Sequence, residues 1–219
     1  MIIDDDVRET LLSIRDSAID IARRHGLPAD YEKGHSPRHV AGNLANPSEV
    51  EIILLLAEPA SDPWPEEVNG NEATWIEDVM CDGVGKGGSR IGYDELAQRN
   101  FEGNPRDFLM MVWPEATFSE RMQKTIITNS FWMQAHASSG TIPAEAEREF
   151  GRHLKSFVSI FPNPIVAAAG GKAEKRCKYA GIAHDAWMHS LTPRRSDQDR
   201  ARETWLSAAK TVRCKWGYS

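Results

Sequence analysis

Three short, mostly apolar runs constrain the fold of this chain more than any other feature. They are residues 52–57 (IILLLA), 125–129 (TIITN) and 165–169 (IVAAA). Runs of this length, bounded by turn-forming residues, are typical of strands buried on both faces of a parallel sheet. A shorter strand is predicted around Ala186–Met188 and ends at His189. The sequence therefore predicts about four parallel strands.

Segments with helical periodicity separate these strands. Residues 4–25 carry apolar residues at helical spacing, with acidic residues at the start and basic residues at the end. Pro143 predicts the start of a second helix, and a basic helix is predicted at 172–179. Ser196 and Asp199 resemble a capping box that begins the last helix. Strands that alternate with helices predict a three-layer α/β/α fold with a central parallel sheet.

The regions between these elements show weaker patterns. The length of 219 residues favours a single domain over 1–219. Residues 27–48 are predicted to form a connecting loop, and residues 62–122 an irregular insertion of short helices and loops. Residues 83–88 (GVGKGG) fit a dinucleotide-binding pattern, but no apolar strand precedes them, so we expect no dinucleotide there.

Composition excludes several classes of protein. No run approaches the roughly 20 apolar residues that span a bilayer, so we expect no membrane contact. The acidic N-terminus lacks the basic region of a secretory signal, which predicts a cytoplasmic protein. Cys81, Cys177 and Cys214 are far apart and show no zinc-site spacing. We therefore expect neither a metal nor another cofactor.

Charge is distributed unevenly along the chain. Residues 1–120 carry a formal charge of −14 and residues 121–219 carry +8, which together give the net charge of −6. A basic half of this kind can attract phosphate groups locally even when the whole chain is acidic. The alternative is a solvated surface on which charge varies by chance.

Polar residues of catalytic type follow three of the predicted strands. Glu58 follows the first run, Asn129 ends the second, and His189 follows the short last strand. Taken singly, each residue is common in turns and loops. Ligands of open parallel sheets bind beyond the carboxyl ends of the strands, where these side chains would converge. We therefore predict one cleft lined by all three.

The same segments resemble, in order, the motifs of the uracil-DNA glycosylase superfamily. Residues 52–61 (IILLLAEPAS) resemble the first motif, particularly its GEAPG form in family four. The stretch TIITNSFWMQA from Thr125 resembles the strand that ends in the family's asparagine. Pro164 and the following IVAAAGGKAEKR resemble the next strand and helix, and MHSLTPRR from Met188 resembles the closing His-Pro motif.

The resemblance covers residues 50–61 and 124–212 and departs from the family at defined positions. Ala57 replaces the first glycine of GEAPG, and Ser190 replaces the proline after the histidine. The four cysteines that hold the iron–sulfur cluster of family four have no counterparts, so no cluster is expected. The resemblance implies a uracil-DNA glycosylase-like domain.

The resemblance also implies roles for the residues of the predicted cleft. Asn129 would read the edge of a base, because its amide offers one donor and one acceptor side by side. His189 would donate to the base oxygen on which negative charge develops. Glu58 would orient or deprotonate water or stabilise the cationic sugar, with Asp62 as a second candidate. The base pocket would further comprise Ala57, Ser61, Trp64 and Phe131, with Trp132 as another candidate for stacking on the base.

Residues after the last strand would contact DNA. Leu191 would enter the space that the flipped nucleotide leaves, as an apolar wedge. The rest of this DNA-binding set comprises Ser190, Arg194 and Arg195, together with Lys172, Lys175 and Arg176 of the basic helix. The alternative for the helix residues is a solvated face without a ligand.

These roles describe a monofunctional DNA glycosylase that hydrolyses the N-glycosidic bond of uracil or another deaminated base in base-excision repair. Its partner would be DNA, with the damaged base flipped into the pocket, and it would act as a monomer without a cofactor. Two alternatives stay open. One is a non-catalytic nucleic-acid or nucleotide-binding module that kept the fold. The other is a hydrolase of small nucleosides, which needs neither the wedge nor the basic surface.

Overall fold

The computed structural model describes residues 4–30, 33, 35, 37, 40–57, 104–135, 141–190 and 195–218. The strands of its sheet are β1 (Val40–Gly42), β2 (Ile52–Leu56), β3 (Thr125–Asn129), β4 (Ile165–Ala169) and β5 (Ala186–Met188). The α-helices in the described residues are α1 (Asp5–Arg24), α2 (Asn104–Val112), α3 (Phe118–Gln123), α4 (Ala144–Val158), α5 (Gly171–Ala180) and α6 (Gln198–Trp216). Turns of 3-10 helix lie at Pro47–Glu49 and Arg195–Asp197.

The sheet has the strand order β1-β3-β2-β4-β5. Strands β2, β3, β4 and β5 run parallel, whereas β1 pairs antiparallel with β3. The prediction of roughly four parallel strands is confirmed, although β2 ends at Leu56 rather than at residue 57. The described residues therefore form a mixed α/β fold around a mainly parallel sheet.

The loop predicted over 27–48 is wrong in one respect, because it contains β1. This strand is three residues long, too short to show the alternation that marks a strand in sequence. Gly42 has a φ of +121°, a backbone conformation that favours glycine. A Cβ at Gly42 would lie 1.8 Å from the carbonyl oxygen of Thr125. Any other residue at position 42 would therefore push β1 away from β3.

Side chains of the central strands alternate between the two faces of the sheet. Ile53 and Leu55 of β2 contribute to a core shared with α1, α4 and α5. Ile52 and Leu54 contribute to a second core shared with α2 and α6. Because both faces are covered, β2 and β4 are apolar throughout, which explains the continuous runs in the sequence. Helices therefore lie in layers on both faces of the sheet.

The helix-end predictions had different outcomes. α1 begins after Asp4, whose side chain accepts a hydrogen bond from a first-turn N–H at 3.0 Å, in keeping with the predicted acidic start. The capping box predicted at Ser196 and Asp199 is wrong. α6 begins instead after Asp197, which makes no side-chain cap bond.

Residues 104–122 are the part of the predicted insertion that the structure describes. Short helices α2 and α3 lie there, as predicted. α3 begins with a capping box, in which the Glu120 N–H donates to Thr117 Oγ1 at 3.3 Å and the Thr117 N–H donates to Glu120 Oε2 at 2.6 Å. In the described part of the chain, no helix combines the length and the apolar character that crossing a membrane requires.

Candidate functional site

The carboxyl ends of the four parallel strands meet at one edge of the sheet. Leu56 of β2 lies opposite Asn129 of β3, and Ala169 of β4 lies opposite Met188 of β5. The described helices α1, α4 and α5 share a core on one face of the sheet, whereas α2 and α6 share a core on the other face. In open parallel sheets of this kind, ligands bind beyond the carboxyl ends of the strands.

Asn129 presents an unsatisfied donor at this edge. Its side chain is 2% exposed, and Nδ2 has no hydrogen-bond acceptor among the described residues. Leaving a buried amide donor without a partner costs about 1–3 kcal/mol. A buried donor of this kind calls for an explanation such as a bound water molecule, a catalytic role or local strain. Nδ2 of Asn129 is therefore available to a water molecule or a ligand at this edge of the sheet.

His189 presents a second unsatisfied nitrogen, on a backbone that α6 holds in place. Nδ1 of its ring is buried without a hydrogen-bond partner in the described part of the chain. The His189 N–H donates to Thr204 Oγ1 at 2.8 Å, and its carbonyl oxygen accepts from Trp205 Nε1 at 3.0 Å. These two bonds fix the position from which the imidazole projects, so the last helix supports the site without entering it.

A close backbone approach and an exposed ring surround His189. Gly170 has a φ of +91° and donates its N–H to the Met188 carbonyl oxygen at 2.9 Å. A Cβ at Gly170 would lie 3.4 Å from Cβ of Ser190, so the turn after β4 lies against this predicted DNA-binding residue. Trp187 is 41% exposed, with its ring centroid 6.5 Å from that of His189. Sequence reasoning missed Trp187, although its place on the outer side of a short strand before the histidine was the available signal.

Asn129 and His189 are separated by the width of two strands, β2 and β4. Neighbouring strands lie about 4.8 Å apart, so the two backbones are roughly 14 Å from each other. By strand alternation, Asn129 shares a face with Ile127, whereas His189 shares a side with Trp187. A single ligand therefore reaches both side chains only if it lies beyond the strand ends and crosses the edge of the sheet.

A buried polar network lies beside this edge. Arg176 is 2% exposed, and its Nε and Nη2 donate to Glu147 Oε1 at 3.0 and 2.9 Å. Its Nη1 donates to the Ala57 carbonyl oxygen at 2.7 Å and to Ser130 Oγ at 3.2 Å. Ser130 Oγ donates to the same carbonyl oxygen at 2.8 Å. Nζ of Lys175 lies 2.6 Å from Glu147 Oε2. We call these five residues the Arg176 network; it joins the turns that follow β2 and β3.

This network contradicts the predicted phosphate contact of Arg176, because the guanidinium is buried and its donors are directed inward. Lys175 is 47% exposed but pairs with Glu147. Lys172 is exposed near the start of α5, and its contact with DNA stays a prediction. The sequence could not separate these three basic residues, because the packing of α5 against α4 and the sheet decides which side is buried.

The predicted stacking of Phe131 and Trp132 on a base is also wrong in this structure. Both side chains are 0% exposed. The Phe131 ring lies 5.1 Å from that of Phe150, with the Arg176 guanidinium 5.7 Å from its centroid. The Trp132 ring lies 5.4 Å from that of Phe157. After β3 the chain enters the core beneath α4, which leaves neither ring face open to a base.

Several predicted site residues lie outside the described residues, namely Glu58, Ser61, Asp62, Trp64, Leu191 and Arg194. Arg195 begins the 3-10 turn before α6, and its side chain is likewise outside. Ala57 lies directly after β2, where its carbonyl oxygen accepts two hydrogen bonds. A contact of Ala57 with a base stays a prediction.

The two cysteines of the described region differ in exposure. Cys177 is buried in α5, and burial raises the pKa of its thiol to about 11, so it stays protonated at neutral pH. Cys214 is exposed on α6. Within the described ranges, no group of three or more His, Cys, Asp or Glu side chains is arranged to hold a metal ion.

No protein-family model and no curated protein matches this chain. The likeness to glycosylase motifs therefore depends on the order of the four segments and on their positions at the strand ends.

Proposed function

We propose that this chain is a DNA glycosylase of the uracil-DNA glycosylase superfamily, which hydrolyses the N-glycosidic bond of uracil or another deaminated base in DNA. One observation carries the proposal: two buried nitrogens without described partners, Asn129 Nδ2 and His189 Nδ1, lie at the carboxyl edge of one parallel sheet. The glycosylase motifs assign base recognition and leaving-group stabilisation to the same two residues.

Asn129 recognises the base in this proposal. A base extruded from the stack exposes its Watson–Crick edge, and a uracil edge carries an N–H donor beside a carbonyl acceptor. The Asn129 amide offers the complementary pair, with Nδ2 as donor to the carbonyl. Binding the base satisfies a donor that is otherwise buried without a described partner, so recognition is coupled to relief of a desolvation cost.

His189 stabilises the departing base. Hydrolysis breaks the bond between C1′ of the sugar and the base nitrogen, and the electron pair stays with the base. A ring N–H of His189 donates to the base oxygen on which negative charge gathers. Water adds to C1′, and Glu58 orients that water or takes its proton. The backbone bonds from α6 hold His189 in place, so little reorganisation accompanies the reaction.

Lys172 and Trp187 supply contacts with DNA around the pocket. Lys172 is the second residue of α5, which begins directly after Gly170, and Gly170 lies against Ser190. The exposed Trp187 ring next to His189 offers a stacking surface for a base or sugar that flanks the extruded nucleotide. The basic second half of the chain draws the phosphate backbone toward this edge.

Lys172→Ala is expected to weaken DNA binding several-fold and to reduce the salt slope of log K by roughly one unit, because one phosphate contact is lost. Fluorescence anisotropy of a labelled uracil-containing oligonucleotide across a salt series measures both quantities. Lys210→Ala, an exposed lysine of α6, is the matched control and is expected to change neither. Equal weakening by the two variants would show that only overall charge matters and would contradict the assignment of Lys172.

Incubation with oligonucleotides that carry uracil, hypoxanthine, xanthine or a thymine mismatch tests the proposed function. Alkali then cleaves abasic sites, and strand scission identifies the excised base. We expect scission with at least one deaminated base, in single or double strands, and none with undamaged DNA. Binding of a free base or nucleotide by the folded protein without release of any base would instead identify a non-catalytic binding module.

A further inference from the structure

We infer that Arg176 and Ser130 are positioning residues, which hold the turn after β2 and the turn after β3 in a fixed relation for the reaction proposed above. Neither side chain is assigned a contact with the substrate. The inference rests on the proposed function, because Glu58 follows Ala57 in the sequence and Asn129 directly precedes Ser130. The Ala57 carbonyl oxygen is the atom on which their hydrogen bonds converge.

The hydrogen bonds at Ala57 define how the two turns are joined. The Ser130 N–H donates to the Leu56 carbonyl oxygen at 2.8 Å, which extends the ladder between β2 and β3 by one residue. Ser130 Oγ and Arg176 Nη1 both donate to the Ala57 carbonyl oxygen. The carbonyl oxygens of Leu56 and Ala57 are therefore held by three donors from two other segments.

The position of Arg176 is fixed in turn by α4. Glu147 accepts from Nε and Nη2, and this fork geometry sets the orientation of the planar guanidinium. The Phe131 ring lies 5.7 Å from the centre of the guanidinium and restricts it from a third direction. Three consecutive residues, Asn129, Ser130 and Phe131, thus carry the recognition amide, a hydroxyl of the network and an aromatic contact of the network. Arg176 therefore contacts both of the residues that directly follow Asn129.

Burial of a charge at this place has a cost that an apolar residue would avoid. A buried ion pair is weak support for stability, because desolvation of two charges offsets much of their attraction. An apolar side chain, however, cannot donate to a carbonyl and a hydroxyl at once. Arg176 supplies five N–H donors in a planar fork, and this network uses them to connect α5, α4 and both turns. The arrangement of its hydrogen-bond donors therefore explains the presence of an arginine at position 176 better than a gain in stability does.

Ser130→Ala in the full chain tests the inference with little risk to folding, since it removes one oxygen atom. We expect kcat for base excision to fall roughly tenfold with KM unchanged, because displacement of reacting groups slows chemistry without weakening DNA contacts. Hydrogen exchange of peptides covering 52–57 and 126–133 is expected to become faster. Arg176→Lys keeps a cation beside Glu147 but loses the fork, and we expect the same pattern.

Thr128→Val is the matched control. Thr128 is 1% exposed on the same strand, and its hydroxyl has no hydrogen-bond partner in the described part of the chain. Its loss is expected to leave kcat and exchange unchanged. Unaltered kcat and exchange in Ser130→Ala would overturn the inference. If the wild-type protein released no base, the proposed function would fail, and hydrogen exchange in Ser130→Ala alone would test the coupling of the two turns. Faster exchange in both peptides would support the coupling. Unchanged exchange would overturn it.

Discussion

Arg176→Ala is expected to lower the free energy of unfolding by about 3–5 kcal/mol, the cost of leaving one partner of a buried ion pair uncompensated. Glu147 is 4% exposed, so its carboxylate cannot recover full hydration when the guanidinium is removed. The Ala57 carbonyl oxygen and Ser130 hydroxyl lose a donor at the same time. Urea unfolding monitored by circular dichroism measures the change.

A double variant separates the ion pair from general damage to the core. Arg176→Met combined with Glu147→Leu replaces both charges by apolar groups, and it is expected to be more stable than either single variant. Lys178→Ala, on the same helix, removes an exposed pair with Glu174 and is expected to leave the urea midpoint almost unchanged. A midpoint for Arg176→Ala close to that of Lys178→Ala would contradict the buried-pair interpretation.

The strands were predictable because burial on both faces leaves a direct mark on the sequence. Ile52, Ile53, Leu54 and Leu55 all have to be apolar when one core lies on each side of β2. β1 carries no such mark. Its three residues form an edge, and its position depends on the approach of Gly42 to Thr125, which are distant in sequence. An edge strand that depends on one close contact between distant residues therefore cannot be predicted from the sequence pattern.

The positions of the candidate site residues along the sheet were predictable because the ends of the strands were predictable. Asn129 and His189 lie where a parallel sheet brings its carboxyl ends together, and sequence alone placed them there. Whether a residue just beyond a strand faces the crevice or the core depends on tertiary packing. Phe131 follows Asn129 by two residues yet is fully buried beneath α4, whereas Trp187 precedes His189 by two residues and is exposed.

The basic helix α5 shows that sequence does not reveal which charged residues are buried. Lys172, Lys175 and Arg176 look equivalent in sequence, and all three are suited to phosphate binding. Arg176 lies with Ala173 and Cys177 on the buried side of α5, so its guanidinium forms hydrogen bonds inside the protein. An acidic partner at the right distance, Glu147, lies 29 residues earlier on another helix and gives no local signal.

His189→Ala is expected to slow base excision by roughly 10²–10³-fold, the usual effect of removing one donor that stabilises charge in the transition state. DNA affinity is expected to change little, because the proposed phosphate contact is made by Lys172 and not by His189. Single-turnover kinetics on a uracil-containing oligonucleotide gives the rate, and anisotropy gives the affinity. His184→Ala is the matched control, since it lies before β5, at the opposite end of that strand, and is expected to retain the wild-type rate.

Asn129→Asp tests the proposed recognition of the base, because it changes the hydrogen-bonding groups of the side chain and preserves the shape of the side chain. The carboxylate is acceptor-only, so the donor at Nδ2 is lost and a uracil carbonyl then faces an oxygen. We expect uracil excision to fall roughly 10- to 100-fold, the cost of an unpaired buried polar group. Among released bases, those that present a donor at that position are expected to gain relative to uracil. An equal loss of excision rate for every base in Asn129→Asp would contradict base recognition by Asn129. A wild-type excision rate in His189→Ala would contradict stabilisation of the leaving base by His189.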